Sequence, residues 1–533
     1  MQLRGAIGAA ALAAAALACG QAQTPGASTL AGASPTPAGN PTLATQTAHA
    51  GMILGVEYAS AELAPAFADS GAVSAKPYPD DGDWGSIQSG PQAAYNWRRI
   101  DRFVRAHQES GFSHLTLIIT ARALWAASDP PSLGDPGDFF PRPEYEQAYV
   151  AFVQAFVERY DGDGVDDMPG LRFPVTLFGF EPEYSTFWPG TAETYIHLLE
   201  LAYPAVKAAN PQAQVMAAGL LMTDVFNGYP SPAEIDRRLT DPDPRIWDKT
   251  PADVALLLDH PELFDVVDVH SLGDYTEIPP TIAWLRQQMA ARGYDRPIWI
   301  GDSFSGVGLN GWGPATCPRR PNSGWLCYPA TEADRCRVAA TLQALADSNA
   351  PDHQAALDWI HADSAAGIVR RTVVAAGEGL AGINIGNVED WEPLMLTQGG
   401  AGTSPWQGMV DRVLLTRRFQ GYRPAYYALQ QVAGIIRHYT AVERLPADDP
   451  RTYLYHFLLD DGNEVFIAWA DTGLWLPGNV MPTVPVAVPV GTDSPVRVEW
   501  TVTAGAEPVV ETAAPVEGAL ILDLGQIPAF VWP

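Results

Sequence analysis

Two acidic side chains stand where strand-like runs give way to loops. One run closes Phe178-Gly179-Phe180-Glu181-Pro182-Glu183, and another closes Ile298-Trp299-Ile300-Gly301-Asp302-Ser303. A third ends Asp268-Val269-His270. A carboxylic acid facing a carboxylate can protonate a leaving oxygen on one side of a bond while the partner attacks carbon, or activates water, on the other. That is the demand of glycosidic cleavage. Aromatic rings would meet the remaining need, because the C–H face of a sugar stacks on Trp or Tyr. Trp84, Trp125, Trp188, Tyr275 and Trp391 fall in the loops that follow such runs. A single acid at a strand end is more often a helix cap or an ion-pair member, and an isolated Trp usually packs. The joint placement of Glu181, His270 and Asp302 carries the reading, with Glu183, Glu389 and Asp390 the next acids in line.

The elements that must position these groups can be read from apolar runs bounded by loops. They fall at Met52–Val56, Gly71–Ala75, Leu115–Thr120, Pro174–Phe180, Gln214–Gly219, Phe264–His270, Pro297–Gly301 and Gly382–Ile385. Unbroken runs suit strands buried on both faces, as in a parallel sheet. Amphipathic helices lie between them. Tyr145, Tyr149, Phe152, Phe156 and Tyr160 recur at helical spacing, and a second helix is expected from about Ala192 to Asn210, capped by Thr191 and stopped by Pro211. Eight strands alternating with helices predict an α/β fold, a (β/α)8 TIM barrel over residues 51–440. In such a barrel the chemistry sits at the C-terminal strand ends. A doubly wound sheet is weakened because Gly55-Val56-Glu57-Tyr58 lacks a glycine-rich phosphate loop. After about Val442 the period changes to two: Tyr453, Tyr455, Phe457; Val465, Ile467, Trp469; Val496, Val498, Trp500; Leu520, Leu522, Leu524. Residues 441–533 are therefore expected to form an all-β sandwich.

The chain has 533 residues, 47% hydrophobic and 17% charged, enough for a large core and too apolar for a disordered chain. Its net charge of −29 argues against DNA, RNA or heparin as partners. Residues 1–19 read as an export signal: Arg4 precedes the apolar stretch Ala6–Ala18, which is too short to span a bilayer. Ala16-Leu17-Ala18-Cys19-Gly20 resembles a bacterial lipobox, with Ala16 where Leu is usual. The expectation is lipidation at Cys19 and an extracellular or cell-surface location, with the membrane touched only through that anchor. Ordinary secretion is the alternative. Residues 20–50, rich in Pro, Thr, Ala, Gly and Ser, read as a solvated tether. In an oxidising compartment Cys317 and Cys327 are expected to pair, leaving Cys336 over. No zinc pattern is present, so no metal is assigned.

Taken in order, these segments look familiar. Gly179-Phe180-Glu181-Pro182-Glu183, then Phe187-Trp188-Pro189-Gly190-Thr191 and Lys207-Ala208-Ala209-Asn210-Pro211, resemble the fourth-strand region of clan A glycoside hydrolases, particularly the xylosidase-like and related bacterial members. Pro297-Ile298-Trp299-Ile300-Gly301-Asp302 is similar to their seventh-strand segment, Asp268-Val269-His270 to their sixth, and Pro424-Ala425-Tyr426-Tyr427 with the trailing sandwich also resembles the group. The resemblance implies a β/α barrel that hydrolyses glycosides without a cofactor. Glu181 would be the acid/base and Asp302 the nucleophile or base, with His270 lining the cleft beside Tyr275, Trp188, Trp391, Trp84 and Trp125. Two signature positions depart from the pattern. Phe180 replaces the Asn that usually holds the sugar 2-hydroxyl, and Asp302 replaces a Glu. Asp is one methylene shorter, which sets its carboxylate back by about 1.5 Å. Retaining pairs lie about 5–5.5 Å apart and inverting pairs about 6.5–9.5 Å apart, so the shortening favours the wider class or a barrel that binds sugar without cleaving it.

The first expectation is therefore a glycoside hydrolase acting on extracellular oligo- or polysaccharide. Beside it stand a non-catalytic carbohydrate-binding surface protein on a decayed barrel, and a scaffold whose sandwich makes the contacts. The turn Asp161-Gly162-Asp163-Gly164-Val165-Asp166-Asp167 offers hard oxygen ligands for Ca²⁺. Its spacing is not that of an EF-hand, and a solvated acidic loop is the simpler expectation.

Overall fold

The computed structural model describes residues 51–130, 132, 138–180, 190–240, 250–303, 332–386, 388–390, 406–412 and 418–533. Eight parallel strands close into a barrel: β1 (Ile53–Glu57), β2 (Ser74–Lys76), β3 (His114–Ile118), β4 (Leu177–Gly179), β5 (Gln214–Leu221), β6 (Val266–Ser271), β7 (Ile298–Ser303) and β8 (Gly382–Ile385). They follow one another around the wall in chain order, and β1 pairs with β8 to close it. These are the eight runs expected from sequence. Each is short and apolar because helices cover its outer face.

Side chains alternate along each strand, so residues two apart share the barrel interior. Leu177, Met216, Val266 and Trp299, packed with Ile53, form an apolar plug near the N-terminal strand ends. Two positions further along the same strands the apolar layer stops. Asp268 follows Val266 and Gly301 follows Trp299, and β1 ends on Glu57. The interior changes from apolar to charged at the level where the strands give way to loops.

Helices between strands include α1 (Arg98–Glu109), α2 (Glu146–Glu158), α3 (Ala192–Ala209), α4 (Ile278–Ala291), α5 (His353–Gly377) and α6 (Pro424–Ile436). The expected aromatic face of α2 is buried through Tyr149, Phe152 and Phe156, with Tyr160 just beyond. Thr191 caps α3, its side chain accepting from the Thr194 N–H. Among the described residues no helix is long and apolar enough to cross a membrane.

The C-terminal strands build a six-stranded antiparallel sheet, Tyr439–Arg444, Thr452–Leu459, Glu464–Ala470, Ala529–Trp532, Val496–Trp500 and Val510–Ala513 in spatial order. Val484–Val488 and Leu520–Leu524 form a second sheet of two strands. The period of two divides the apolar residues between two jobs. Leu454, Phe466, Val498, Leu522 and Val531 pack between the sheets. Their alternates Tyr453, Tyr455, Phe457, Ile467, Trp469 and Phe530 join the core of the barrel. Barrel and sandwich therefore share one continuous apolar core.

One expectation about the cysteines is corrected. Cys336, near the start of the helix Glu332–Ala346, is disulfide-bonded and is not the residue left over. Cys317 and Cys327, like Cys19 and all of residues 1–50, lie outside the described residues.

Candidate active site

Asp302 sits one residue before the end of β7, and its backbone is gripped from both sides. β6 and β7 pair in register up to Val269 and Ile300, then shift so that His270 faces Asp302. The extra residue in β7 is Gly301. Its N–H donates to Asp268 Oδ1 at 2.8 Å. A Cβ at this position would collide with that carboxylate, so glycine permits the bulge that turns Asp302 toward the mouth. The Gly301 carbonyl accepts from Lys76 Nζ at 2.8 Å and from Asn384 Nδ2 at 3.2 Å. Ser303 is held by Glu57, which accepts its N–H at 3.3 Å, and donates its hydroxyl to the Asn384 carbonyl at 2.7 Å. Four strands, β1, β2, β6 and β8, thus converge on the three residues of β7 that carry the acid.

Beneath Asp302 lies a fully buried ion pair, Lys76 Nζ 3.5 Å from Glu57 Oε2. A buried pair survives desolvation only if its other hydrogen bonds are also made. Here the Gly301 carbonyl and the Ser303 N–H supply part of them. The Asp302 carboxylate itself is 13% exposed. Oδ2 accepts from the Tyr58 hydroxyl at 2.9 Å and lies 3.9 Å from His270 Nδ1. The other ring nitrogen, Nε2, is 3.6 Å from Asp268 Oδ2. Both His270 distances are longer than a hydrogen bond, and they set the ring between the two acids. Behind it, a small cavity lined by Thr223, His270, Ser271, Glu277 and Ile300 has room for no more than a water.

The structure places His270 beside Asp302 and buries two of the expected aromatics in the core. Trp84 is fully buried, stacked on Phe152 and donating its N–H to Gln88 Oε1 at 2.8 Å. It belongs to the packing between barrel and helices. Tyr275 is also a core residue. It packs edge-on to Tyr453 and Trp469 of the sandwich, and its hydroxyl accepts from the Trp469 N–H at 3.1 Å. Its neighbour Asp274 is raised to about 7, mainly by burial and then by Asp471. Trp125 is half-buried, edge-on to Trp84 and Tyr145, with its N–H on the Gln88 carbonyl. No described contact joins it to Asp302 or His270.

Glu181, Glu183, Trp188 and Trp391 lie outside the described residues. Phe180 is described: its ring is fully buried, and its carbonyl accepts from the Tyr195 hydroxyl at 3.1 Å. The same Tyr195 oxygen accepts from the Ala218 N–H at 2.8 Å, tying the end of β4 to the bulge in β5. Asp390 is committed elsewhere, forming an ion pair with Arg423 at 2.7 Å and accepting from the Gly408 N–H at 2.8 Å. Glu389 is buried at 2% exposure. The acidic turn satisfies much of itself. Asp167 accepts from the N–H groups of Gly162 and Gly164, and Asp163 accepts from that of Val165. Glu158, Asp161 and Asp163 lie close together. Glu158 is raised, first by its loss of hydration and then by the neighbouring aspartates.

Sequence reasoning missed Glu57, Tyr58, Lys76, Asp268 and Asn384. Each stands at or just past the end of a barrel strand, or lines its interior. The strand-end rule applied to β1 and β2 would have found the first three.

The sequence matches no protein-family model and no curated protein sequence. Solved structures do match in fold. A monomeric beta-xylosidase from Caulobacter crescentus CB15 superposes with a TM-score of 0.52 at 14% identity, covering 91% of this chain and 97% of that one. A glucosidase from Croceicoccus marinus gives 0.51 at 12% identity, over 91% and 96%. A conserved exported protein from Bacteroides fragilis gives 0.52 at 9% identity, over 92% and 99%. At such identities the likeness is one of fold. The chain shares its overall fold, a closed barrel followed by β-sheets, with these three structures.

Proposed function

We propose that this protein is an exported glycoside hydrolase acting on extracellular oligo- or polysaccharide, with Glu181 as general acid/base and Asp302 as nucleophile or base. One observation carries the reading. Asp302 is presented at the C-terminal end of β7 by contacts from four other strands, and its carboxylate is partly open. A fold spends few buried polar contacts on a surface acid that only solubilises. The shared fold with a xylosidase and a glucosidase supports the same class of chemistry. This chemistry needs no cofactor, because the two carboxyls move all the protons.

A saccharide-binding protein on the same barrel is the second reading. Phe180 favours it, since that apolar ring stands before Glu181 where a hydrogen-bonding side chain would strengthen the transition state. The test is a screen of the full chain against aryl-glycosides and unactivated plant and bacterial polysaccharides, with binding measured in parallel. Release of reducing sugar supports the hydrolase. Binding with no release supports the second reading.

Anchoring through a lipidated Cys19 is part of the proposal. Cell-associated protein is expected to partition into detergent, and Cys19→Ala to release it. A wild type recovered in the aqueous phase and cut elsewhere would contradict this.

A further inference from the structure

The contact on Asp302 from the far side of the barrel closure has no counterpart among the residues that sequence reading assigned. Tyr58 is the first residue after β1. Its φ is +56°, in the left-handed region that a bulky side chain rarely adopts. Its N–H still donates to the Lys76 carbonyl at 2.9 Å, so β1 remains paired to β2 while the next peptide turns. The turn carries the Tyr58 hydroxyl past β8, which lies between β1 and β7, onto Asp302 Oδ2 at 2.9 Å. The ring is fixed on the way. It stacks on Tyr78 with centroids 5.1 Å apart and 16° between planes, and Lys76 Nζ lies 5.4 Å from its centre. Strained backbone held by surrounding contacts is a mark of a site where geometry has been imposed.

We propose that Tyr58 is the positioning residue of the Asp302 carboxylate, and that by occupying Oδ2 it makes Oδ1 the oxygen presented to substrate. The inference rests on the proposed role of Asp302. Among the described residues no hydrogen bond falls on Oδ1, and His270 also approaches Oδ2, at 3.9 Å. A carboxylate with one oxygen bonded cannot rotate freely about its last torsion. The shorter reach of Asp relative to Glu is thereby matched with a fixed direction. The hydroxyl stays on Oδ2 throughout and exchanges no proton with substrate.

The experiment is Tyr58→Phe, which keeps the ring and its stack and deletes only the donor, assayed beside Asp302→Asn at a temperature below every melting point. Loss of a hydrogen bond to an ionised group should lower kcat by about 10- to 100-fold, with KM changed less than about threefold. The melting temperature should stay near that of wild type. A raised KM with unchanged kcat would make Tyr58 a sugar contact and overturn the proposal. So would unchanged kinetics with a lowered melting temperature, the signature of a merely structural role. If Asp302→Asn keeps wild-type turnover, the reading of the site itself has failed. If Asp302→Asn is inactive while Tyr58→Phe is wild-type, only the positioning role has failed.

Discussion

Asp302→Asn is expected to lower turnover of an unactivated glycoside on the order of 10³-fold, about 4 kcal/mol of transition-state stabilisation. The amide is nearly isosteric, so the loss would be chemical. It can neither attack the anomeric carbon nor take a proton from water. The surrounding bonds tolerate the change: the Tyr58 hydroxyl can donate to an amide oxygen, and the contacts to Gly301 and Ser303 use no atom of the Asp302 side chain. Folding should therefore be intact, which circular dichroism and the melting temperature check. Glu181→Gln should cost a comparable factor with a poor leaving group and much less with an activated aryl-glycoside, because only the former needs a proton. Turnover that survives both substitutions would place the chemistry elsewhere, with Glu183 the first alternative.

Lys76→Met is expected to destabilise the protein by about 3–5 kcal/mol, as breaking a buried pair from one side generally does. The substitution keeps an unbranched side chain one atom shorter and removes the ammonium beside the fully buried Glu57. It also strips a donor from the Gly301 carbonyl. A loss of that size is a large part of the 5–15 kcal/mol that typically holds a domain together. Urea unfolding measures it. Adding Glu57→Gln in the same chain removes the stranded charge and should recover part of the stability. If the double variant is no more stable than Lys76→Met alone, the cost lies in packing and not in the carboxylate.

How much of this was legible before folding depends on the range over which each feature is decided. The barrel strands were readable because burial on both faces writes an unbroken apolar run into each one. The α3 helix was readable because Thr191 and Pro211 mark its ends locally. Asp302 and His270 can be singled out from sequence as candidates because strand ends in a barrel have a known use. The grip around Asp302 was hidden because it joins residues 57, 76, 268, 301, 303 and 384, which meet only when β1 closes on β8. The left-handed turn at Tyr58 has no glycine or asparagine to announce it. Trp84 and Tyr275 were misplaced for a simple reason: an aromatic ring that packs and one that binds sugar are the same residue in a sequence. What separated them was the second partner, Phe152 for Trp84 and the sandwich strands for Tyr275. The bonded state of Cys336 is not legible because position along the chain says nothing of which thiols approach one another.

The most direct test soaks the same unactivated oligosaccharide into crystals of the wild type and of Asp302→Asn. The account predicts an intact chain in the variant, lying across the barrel mouth with a glycosidic bond beside residue 302, and a cleaved product at the same place in the wild type. An intact chain in both would make the barrel a binding site only. Saccharide bound away from the mouth, on the sandwich or nowhere, would contradict the assignment of Asp302 altogether.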